Sequence, residues 1–533
     1  MSIISLSYFL FVFAAVTIYY VIPKTIQWKW LLVVSYVFYL MAGIKYVGYL
    51  LFTTISTFLC GRWIGNLDSR YAQEVGASDQ AKTSQQRKEI KARFTKKKRR
   101  VLALAMVVNF GVLGVVKYAN FVIDNLNSLL SLFGIGKLSH FHLILPLGIS
   151  FYIFQSMGYL MDVYRGKVKP DKSIFRFALF VSYFPQIIQG PIGRYQPLAN
   201  QLYEQRKFSY EKVKFGAQRM LWGYFKKLVI ADRIAVVVNE VFANYIEKGY
   251  EGFIIFIAVF LYGIQIYADF SSGIDIVCGV SEMLGIDLAE NFRRPFMARS
   301  VAEFWQRWHI TLGAWMRDYL FYPLALSKPF NKMSRALRRH RGNYVAKVLP
   351  TCLASFIVFV LIGIWHGASW KYVAYGLYQA AFVSTATLFE PFYAKCRGFL
   401  HVDPKRFDFR IFQTLRTLFI ITVGRYFSRA VAFRSALSLF EATLKSYNPW
   451  VFFDGTLYNL GLDRKNFQFM ILVIAFLFLI DFLQERGIHL RERIARQGIV
   501  FRWCVYFAGI FAIIIFGMYG QEFDASVFIY QGF

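Results

Sequence analysis

Two histidines in aromatic surroundings are the residues of this sequence best suited to chemistry. His309 closes the motif Phe-Trp-Gln-Arg-Trp-His at 304–309, and His366 lies within Gly-Ile-Trp-His-Gly-Ala-Ser-Trp at 363–370. Imidazole exchanges protons near neutral pH, so each side chain could serve as a general base towards a hydroxyl group. A basic polar segment, followed by an apolar run long enough to cross a bilayer, separates the two motifs.

For His309, packing is the alternative to chemistry. The aromatic and apolar residues around it repeat at helical spacing and predict one amphipathic helix, on which His309 shares the apolar face. The repeating positions are Trp305, Trp308, Leu312, Trp315 and Tyr319. On the residues alone, a core or interface histidine is the favoured interpretation of His309.

His366 ends an apolar run and stands between Gly363 and Gly367. We expect the missing glycine side chains to leave room there for a substrate. A histidine at such depth is costly unless it faces a polar cavity. The alternative is a hydrogen-bonding residue at a helix end, but the residues favour His366 over His309 for the chemistry.

Other common reaction schemes find little support in the sequence. It contains no Gly-x-Ser-x-Gly elbow, no pair of histidines at zinc-binding spacing and no Gly-rich phosphate loop. Its five cysteines occur singly, without a CxxC motif, and are interpreted as small buried apolar residues. No metal site is expected.

The elements that position these histidines belong to a membrane protein. Hydrophobic residues make up 57% of the 533 positions, and long apolar runs recur along nearly the whole chain. This predicts an all-α, polytopic integral membrane protein with roughly eleven membrane-embedded segments. The first run, 2–22, has no basic start and no small-residue cleavage site, so it is expected to be a retained span.

The formal charge of +31 reflects topology rather than nucleic-acid binding. Basic residues collect between apolar runs, as the positive-inside rule describes, and no aromatic residues interleave with the Lys-Lys-Lys-Arg-Arg run at 96–100. Attraction to anionic lipid headgroups explains that run. We therefore expect membrane lipids, and no nucleic acid, among the partners.

The loop charges also predict which side each segment faces. The basic segments 67–100, 391–411 and 484–499 are placed inside, whereas 425–466 and the chain termini are placed outside. We treat 1–533 as a single domain. Its core motifs lie at 141–390 and its C-terminal helices at 410–533.

Several apolar runs are interrupted. Pro146 and Gly148 are expected to kink a helix over 141–161, and the prolines and glycines of 175–193 predict a segment that does not cross cleanly. The mixed segment 195–246, which includes Lys226 and Lys227, is typical of helices in the interface plane with basic side chains towards the headgroups.

The run 251–276 carries two carboxylates, Asp269 and Asp275, at or near bilayer depth. Charged groups there are expensive and are functional candidates. The alternative is that Asp269 or Ser271 caps a broken helix. The sequence favours neither interpretation over the other.

At these residues the sequence resembles the membrane-bound O-acyltransferase family, in particular its bacterial branch concerned with alginate O-acetylation and teichoic-acid D-alanylation. The matching motifs appear in family order and cover most of residues 1–390, and the last six residues, 528–533, also resemble the alginate type. The motifs are LPLGISFY at 145–152, DVYRG at 162–166, QGP at 189–191, YADFSSG at 267–273, NFRRP at 291–295, EFWQRWHITL at 303–312, RDYL at 317–320 and WHG at 365–367.

The resemblance implies a ring of tilted helices around a thin centre reached by a funnel from each side. It implies His366 as the catalytic residue and His309 as a supporting or second essential histidine. Further substrate-binding or tunnel-lining candidates lie in the same motifs. They are Trp305, Arg307, Trp308, Asp318, Trp365, Asp269, Ser272 and Asn291.

The resemblance also implies the reactants. An acyl group, with acetyl favoured, would pass from a cytoplasmic thioester, acetyl-CoA or an acyl carrier protein, to hydroxyls of an exported polysaccharide. An extracytoplasmic accessory protein is expected as partner, the location is a bacterial inner membrane, and no bound cofactor is expected. Four basic residues could bind the phosphate groups of a phosphorylated donor. Alternatively, they are present only because this part of the chain faces the cytoplasm. These residues are Arg293, Arg294, Arg307 and Arg317.

One stretch departs from the alginate-type pattern. After Leu320 the chain reads Phe-Tyr-Pro-Leu-Ala-Leu-Ser-Lys-Pro, and 335–341 is unusually basic. Alginate is therefore not assumed as acceptor. D-alanyl transfer to teichoic acid remains an alternative, as does a transporter or flippase that uses Asp269, Asp275 and the histidines as a polar pathway.

Overall fold

A computed structural model describes residues 3–76 and 83–519. Apart from one isolated antiparallel bridge between Phe292 and Trp308, the regular structure of this part is helical. The α-helices are α1 Leu6–Val21, α2 Gln27–Ala42, α3 Ile44–Gly76, α4 Ser84–Ser131, α5 Ile149–Tyr164, α6 Ile174–Ser182, α7 Tyr195–Tyr203, α8 Tyr210–Tyr224, α9 Asp232–Asn244, α10 Phe253–Met283, α11 Val301–Arg307, α12 Ile310–Met316, α13 Tyr322–Ala325, α14 Lys328–His366, α15 Trp370–Leu388, α16 Glu390–Phe399, α17 Phe407–Arg429, α18 Phe433–Lys445, α19 Arg464–Glu485, α20 Leu490–Ala495 and α21 Ile499–Phe516.

Two π-helical segments, Phe225–Ala231 and Arg317–Phe321, interrupt this pattern. Short 3₁₀ turns occur at Lys24–Ile26, Pro295–Met297, Pro449–Phe452 and Thr456–Asn459.

The predicted all-α membrane class is confirmed. Within the described residues, seven helices are long and apolar enough to cross a membrane, and α1 is a shorter apolar helix. The seven are Lys24–Ala42, Ile44–Gly76, Ser84–Ser131, Phe253–Met283, Gly342–His366, Arg464–Glu485 and Ile499–Phe516. The count of roughly eleven embedded segments stays a prediction, and the similarity proposed for 528–533 falls outside the described residues.

The chain divides into two compact units. The first contains the described residues of 1–217 together with 277–289. Within it, α3 packs against α4 and α5, and α2 packs against α6. Whether the whole chain acts as a single domain stays a prediction.

The second unit contains 218–276 and the described residues from 290 onward, and it includes both candidate histidines and both candidate aspartates. Its largest helix pair is α14 with α15, and α15 in turn packs against α17. Helix α14 is kinked at Gly342, where φ is 83°. Its C-terminal half is the candidate span that ends at His366.

Of two local predictions in the first unit, one is wrong and one is confirmed. Pro146 and Gly148 do not kink a helix, because α5 begins only at Ile149 and Gly148 is its N-cap in the left-handed region, with φ of 71°. A Cβ atom on Gly148 would lie 2.0 Å from the carbonyl oxygen of Ile187, so glycine is required there. The interrupted segment 175–193 is confirmed, since α6 ends at Ser182 and irregular buried backbone follows.

Candidate active site

The segment around His309 is broken rather than continuous. Ser300 caps α11 by accepting a hydrogen bond from the backbone N–H of Glu303 at 3.1 Å, but α11 ends at Arg307 and Trp308 is extended. His309 then takes a left-handed conformation, with φ of 47° and ψ of 52°, before α12 begins. The prediction of one amphipathic helix through 305–319 is therefore wrong. Non-glycine residues in this conformation carry backbone strain, which is often found at active sites.

A short pairing of two segments holds the break in place. The backbone N–H of Ile310 donates to the carbonyl of Asn291 at 3.0 Å, and that of Arg293 donates to the carbonyl of Arg307 at 2.9 Å. The motif at 291–295 therefore lies alongside the motif at 303–312. These hydrogen bonds, which no helical periodicity could reveal, set the position of His309.

Asn291 determines which nitrogen of His309 carries the proton. Its Oδ1 atom accepts hydrogen bonds from the backbone N–H of Thr311 at 3.1 Å and from the Thr311 hydroxyl at 2.9 Å. Nδ1 of His309 lies 3.2 Å from the same oxygen. Because this oxygen is an acceptor, Nδ1 must donate to it, and Nε2 is left as the unprotonated nitrogen of the neutral ring.

The neutral ring is favoured by burial. Only 2% of His309 is exposed, and it lies outside the seven candidate spans. Burial lowers the pKa of His309 to about 3. His309 is therefore an uncharged imidazole across the physiological pH range.

Trp365 brings the two histidines together. Its ring centroid lies 6.0 Å from that of His309 and 5.0 Å from that of His366. His366 is buried at the C-terminus of α14 and contacts the rings of Tyr372 and Tyr375 on α15, with centroids 6.4 and 6.2 Å away. The two sequence-predicted histidines thus share one aromatic cluster.

The glycines beside His366 do not leave room for a substrate as expected. A Cβ atom on Gly363 would lie 2.5 Å from the carbonyl oxygen of Tyr372 and 2.8 Å from Cα of Gly376, so α15 occupies that space. A Cβ on Gly367 would lie 2.3 Å from the Tyr372 ring. The missing side chains instead permit close packing of α14 and α15.

Two other candidates from the sequence, Trp305 and Trp308, belong to the same cluster. Nε1 of Trp305 donates to Oε1 of the buried Gln379 at 3.2 Å. The Trp308 ring stacks on Phe304 with centroids 5.5 Å apart. The Trp305 ring also lies 6.4 Å from that of Tyr375, which contacts His366.

The basic candidates are neutralised by nearby carboxylates. Arg307 pairs with Glu303 at 2.7 Å and with Glu485 at 3.0 Å, and Arg294 also pairs with Glu485, at 2.7 Å. Asp318 pairs with its neighbour Arg317 at 3.2 Å, and Arg293 pairs with Glu290 at 3.0 Å. The pairs of Arg294 and Arg307 with Glu485 join the 294–307 segment to the end of α19. A phosphate-binding role for the arginines stays a prediction.

The carboxylates of α10 are buried in ion pairs. Nζ of Lys227 lies 2.8 Å from Oδ1 of Asp269 and 2.9 Å from Oδ1 of Asp232, and each of the three side chains is at most 5% exposed. Although burial alone would lower it, the two carboxylates raise the pKa of Lys227. One cation thus faces two carboxylates, and burial raises the pKa of Asp232 to about 7, which reduces the negative charge that Lys227 leaves unbalanced.

Asp275 forms a second group of this kind. It pairs with Lys226 at 2.7 Å and with Arg219 at 2.9 Å, and Lys226 also donates to the Ser271 hydroxyl at 2.7 Å. Lys226 and Lys227 are thus buried within the second unit, which corrects their expected orientation towards lipid headgroups. The π-helical turn Phe225–Ala231 carries both lysines towards α10.

The broken helix that was the alternative explanation for Asp269 does not occur, because α10 runs without interruption from Phe253 to Met283. Ser272 donates its hydroxyl hydrogen bond to the carbonyl of Asp269 in the same helix. The link from α10 to the site is Phe270, whose ring centroid lies 5.0 Å from that of His309.

Reasoning from the sequence missed Tyr375, Gln379 and Arg425. All three are at most 4% exposed, and Nη1 of Arg425 donates to the Tyr375 hydroxyl at 3.4 Å. The signal was an arginine within an aromatic helical sequence at 424–429, but the prediction placed 425–466 in an outer segment and so left Arg425 outside any helix.

The residues that the structure describes contain no group of three or more His, Cys, Asp or Glu side chains placed to hold a metal ion. The helices and the histidine cluster instead define a multi-pass helical membrane protein that buries two histidines around one tryptophan.

Comparison of the sequence with known proteins identifies a family model and several relatives that match this chain. The model of the membrane-bound O-acyltransferase family matches residues 167–337. The probable alginate O-acetylase AlgI of Pseudomonas putida is 31% identical over 90% of this chain and 87% of its own length. The peptidoglycan O-acetyltransferase of Helicobacter pylori is 30% identical over 64% of each chain. The teichoic acid D-alanyltransferase of Bacillus subtilis is 28% identical over 47% of this chain and 60% of its own.

The chain therefore belongs to the membrane-bound O-acyltransferase family and is an O-acyltransferase. The family resemblance drawn from its motifs is confirmed. With an enzymatic function established, the transporter interpretation is set aside, and the ion pairs of Asp269 and Asp275 explain the carboxylates that suggested it.

Proposed function

We propose that this enzyme transfers an acetyl group from a cytoplasmic thioester to hydroxyl groups of an exported cell-envelope polysaccharide, directly or through an extracytoplasmic partner protein. The relatives support acetyl transfer, since the Pseudomonas putida and Helicobacter pylori proteins are named for the O-acetylation of alginate and of peptidoglycan. The whole chain would act as one acyltransferase domain in a bacterial inner membrane.

The observation that carries the proposal is the pair of buried histidines joined by Trp365. In this dry, aromatic surrounding a neutral imidazole is an effective proton acceptor, because no bulk water competes for the proton. His366 is assigned the role of general base, since it ends α14 beside the α14–α15 connection. His309 is assigned the second essential position.

The proposed reaction passes through a tetrahedral intermediate. His366 takes the proton of the acceptor hydroxyl, and the hydroxyl oxygen attacks the carbonyl carbon of the thioester. A tetrahedral oxyanion forms and collapses, the C–S bond breaks, and the thiolate leaves with the proton that His366 returns. The C–O ester bond is the product, and the imidazole is neutral again.

Within this scheme the aromatic candidates Trp305, Trp308 and Trp365 exclude water, and Asn291 holds the tautomer of His309. Nδ2 of Asn291 is buried and makes no hydrogen bond to the described residues, so it can donate one to a reactant. The thioester, acetyl-CoA or a carrier-protein pantetheine, is a substrate, and no resident cofactor takes part.

The proposal is tested by mass spectrometry of cell-envelope glycans from cells carrying no enzyme, the wild type, His366→Ala or His340→Ala. His340 is an exposed histidine on the first half of α14 and serves as the matched control. We expect ester-linked acetyl groups with the wild type and His340→Ala, and none with His366→Ala at equal protein level. Acetylation that persists in His366→Ala would overturn the catalytic assignment, and D-alanyl esters in place of acetyl would overturn the choice of acyl group.

A further inference from the structure

Helix α14 folds back on itself at Gly342. Its first half, 328–341, contains the basic segment that departs from the alginate-type pattern, and its second half, Gly342–His366, is the candidate span. The Ser334 hydroxyl donates to the carbonyl oxygen of Ala346 at 2.8 Å, although the two residues are 12 positions apart. In a straight α-helix that separation would be about 18 Å. The two halves therefore contact each other beside the kink.

A proline specifies this contact. Pro350 lies inside the second half and has no backbone N–H, so it cannot donate the helical hydrogen bond to the carbonyl of Ala346, four residues earlier. The carbonyl that Pro350 leaves without its helical donor is the one that accepts from Ser334. Ala346 and Pro350 are both buried. Ser334 and Pro350 thus fix the basic half of α14 against the span.

A cleft of about 330 Å³ lies between the two halves, and both contribute to its lining. Arg338 from the first half and Lys347 and Asn343 from the second present N–H groups that a ligand in the cleft would use. Three other polar side chains of the lining donate to backbone carbonyls of the protein itself, at 3.0, 2.8 and 3.0 Å, and so hold the walls. They are Asn331, Ser334 and Thr351.

The cleft lies in a strongly positive part of the chain. From 319 to 389 the sequence contains no Asp or Glu, whereas Lys and Arg recur throughout 328–347. The second half of α14 begins at the cleft, so its helix dipole adds a partial positive charge there. The positive-inside rule explains basic residues on this side of the membrane. It does not explain why Arg338 and Lys347 line one cleft from opposite sides, and this arrangement favours an anionic ligand.

Phosphate suits this lining. A phosphate ester carries negative charge on several oxygens, so it accepts charge-assisted hydrogen bonds from a guanidinium and an ammonium group at once. The amide of Asn343, in the first turn of the second half, adds a neutral donor. The cleft is as large as a small-molecule pocket and therefore admits part of the molecule that carries the phosphate.

We propose that the cleft between the two halves of α14 binds a phosphate group on the inner side of the membrane, with Arg338 and Lys347 as its charged contacts. Two kinds of molecule on that side carry such a group, a phosphorylated acyl donor and an anionic lipid. The donor as source rests on the proposed function, whereas the lipid does not. In either case the phosphate is held at the inner end of the helix that ends at His366.

The donor as source is tested by binding, without acyl transfer. Purified full-length protein in detergent is titrated with adenosine 3′,5′-bisphosphate, which has no acyl group to transfer, and with adenosine. We expect the wild type to bind the bisphosphate more tightly than adenosine. The double variant Arg338→Gln with Lys347→Gln should weaken bisphosphate binding by about tenfold or more. Arg339→Gln removes an exposed cation of the same half outside the cleft and should leave binding unchanged.

The lipid as source is tested by thermal unfolding in nanodiscs of phosphatidylcholine, with and without phosphatidylglycerol. If an anionic headgroup occupies the cleft, phosphatidylglycerol should raise the unfolding temperature of the wild type and of Arg339→Gln more than that of the double variant. Arg338 and Lys347 are exposed, so we expect the double variant to fold. The two single variants provide the same comparison if it does not.

A response that depends on Arg338 and Lys347 in either experiment supports the site and identifies its source. The site is overturned if the wild type responds to neither probe, if the double variant keeps the wild-type responses, or if Arg339→Gln reduces them equally. A glycan analysis without acetyl esters would overturn the proposed function instead, and phosphate binding would still be decided by these two experiments.

Discussion

Nδ1 of His309 lies 3.2 Å from Oδ1 of Asn291, an oxygen that also accepts two hydrogen bonds from Thr311. Asn291→Leu would remove the acceptor that fixes the tautomer of His309. We expect a loss of acetyl transfer of about 10- to 100-fold, typical of residues that orient a functional histidine, measured with the purified enzyme in proteoliposomes. His340→Ala changes an exposed residue and provides the control. Full activity of Asn291→Leu would show that the tautomer of His309 does not matter.

The low pKa of His309 predicts a dependence of stability on pH. Because the pKa is about 3 in the folded protein and 6.5 ordinarily, the unfolded chain binds the proton more tightly between these values. The stability that the neutral ring contributes is fully present above about pH 6.5 and falls as the pH decreases towards 3. At pH 5 the loss amounts to about 2 kcal/mol.

Thermal unfolding in detergent at pH 7.5 and pH 5 checks this dependence. We expect the wild type to lose more stability on acidification than His309→Gln, whose amide does not titrate. Identical losses in the two proteins would contradict a buried neutral His309.

The triad of Lys227, Asp232 and Asp269 predicts a large effect of a single substitution. Lys227→Met leaves two carboxylates buried without their cation, and we expect destabilisation of about 3–5 kcal/mol. The double variant Lys227→Met with Asp269→Asn should recover part of this loss, because one uncompensated charge is removed. Lys332→Met, at an exposed lysine of α14, should leave the unfolding temperature unchanged.

The contact between α14 and α15 predicts intolerance at Gly363. Gly363→Ala would place a methyl group 2.5 Å from the carbonyl oxygen of Tyr372, and we expect destabilisation of about 1–3 kcal/mol with a parallel loss of activity. Gly263 is also buried in a helix, but a Cβ atom there meets nothing within 4 Å. Gly263→Ala should therefore be neutral or slightly stabilising, and equal effects of the two substitutions would argue against close packing at Gly363.

Sequence reasoning located the helices and the two histidines because membrane spans leave long apolar runs and family motifs are local. It failed where tertiary contacts override local patterns. The left-handed His309 depends on pairing with Asn291, which lies 18 positions away. The helical spacing of Trp305 and Leu312 gave no warning of this break.

Charge and glycine patterns were misread for a related reason. Lys226 and Lys227 resemble interfacial lysines until their partners on α10 are known. Gly363 and Gly367 suggest empty space until Tyr372 and α15 are placed against them. A single sequence does not show which neighbour will occupy a gap or neutralise a charge.

The positions of the buried lysines Lys226 and Lys227 depend on the number of residues in the π-helical turn Phe225–Ala231. Its backbone N–H at Asp232 bonds to the carbonyl of Lys227, five residues earlier, where an α-helix would use four. Deleting one residue from this turn would restore a regular α-helix and rotate one flank relative to the other. Lys227 would then lose its register with Asp269, although every charged residue would still be present. Evolution of this enzyme is therefore constrained at that turn in length as well as in composition, and relatives with a one-residue gap there are expected to lack the triad.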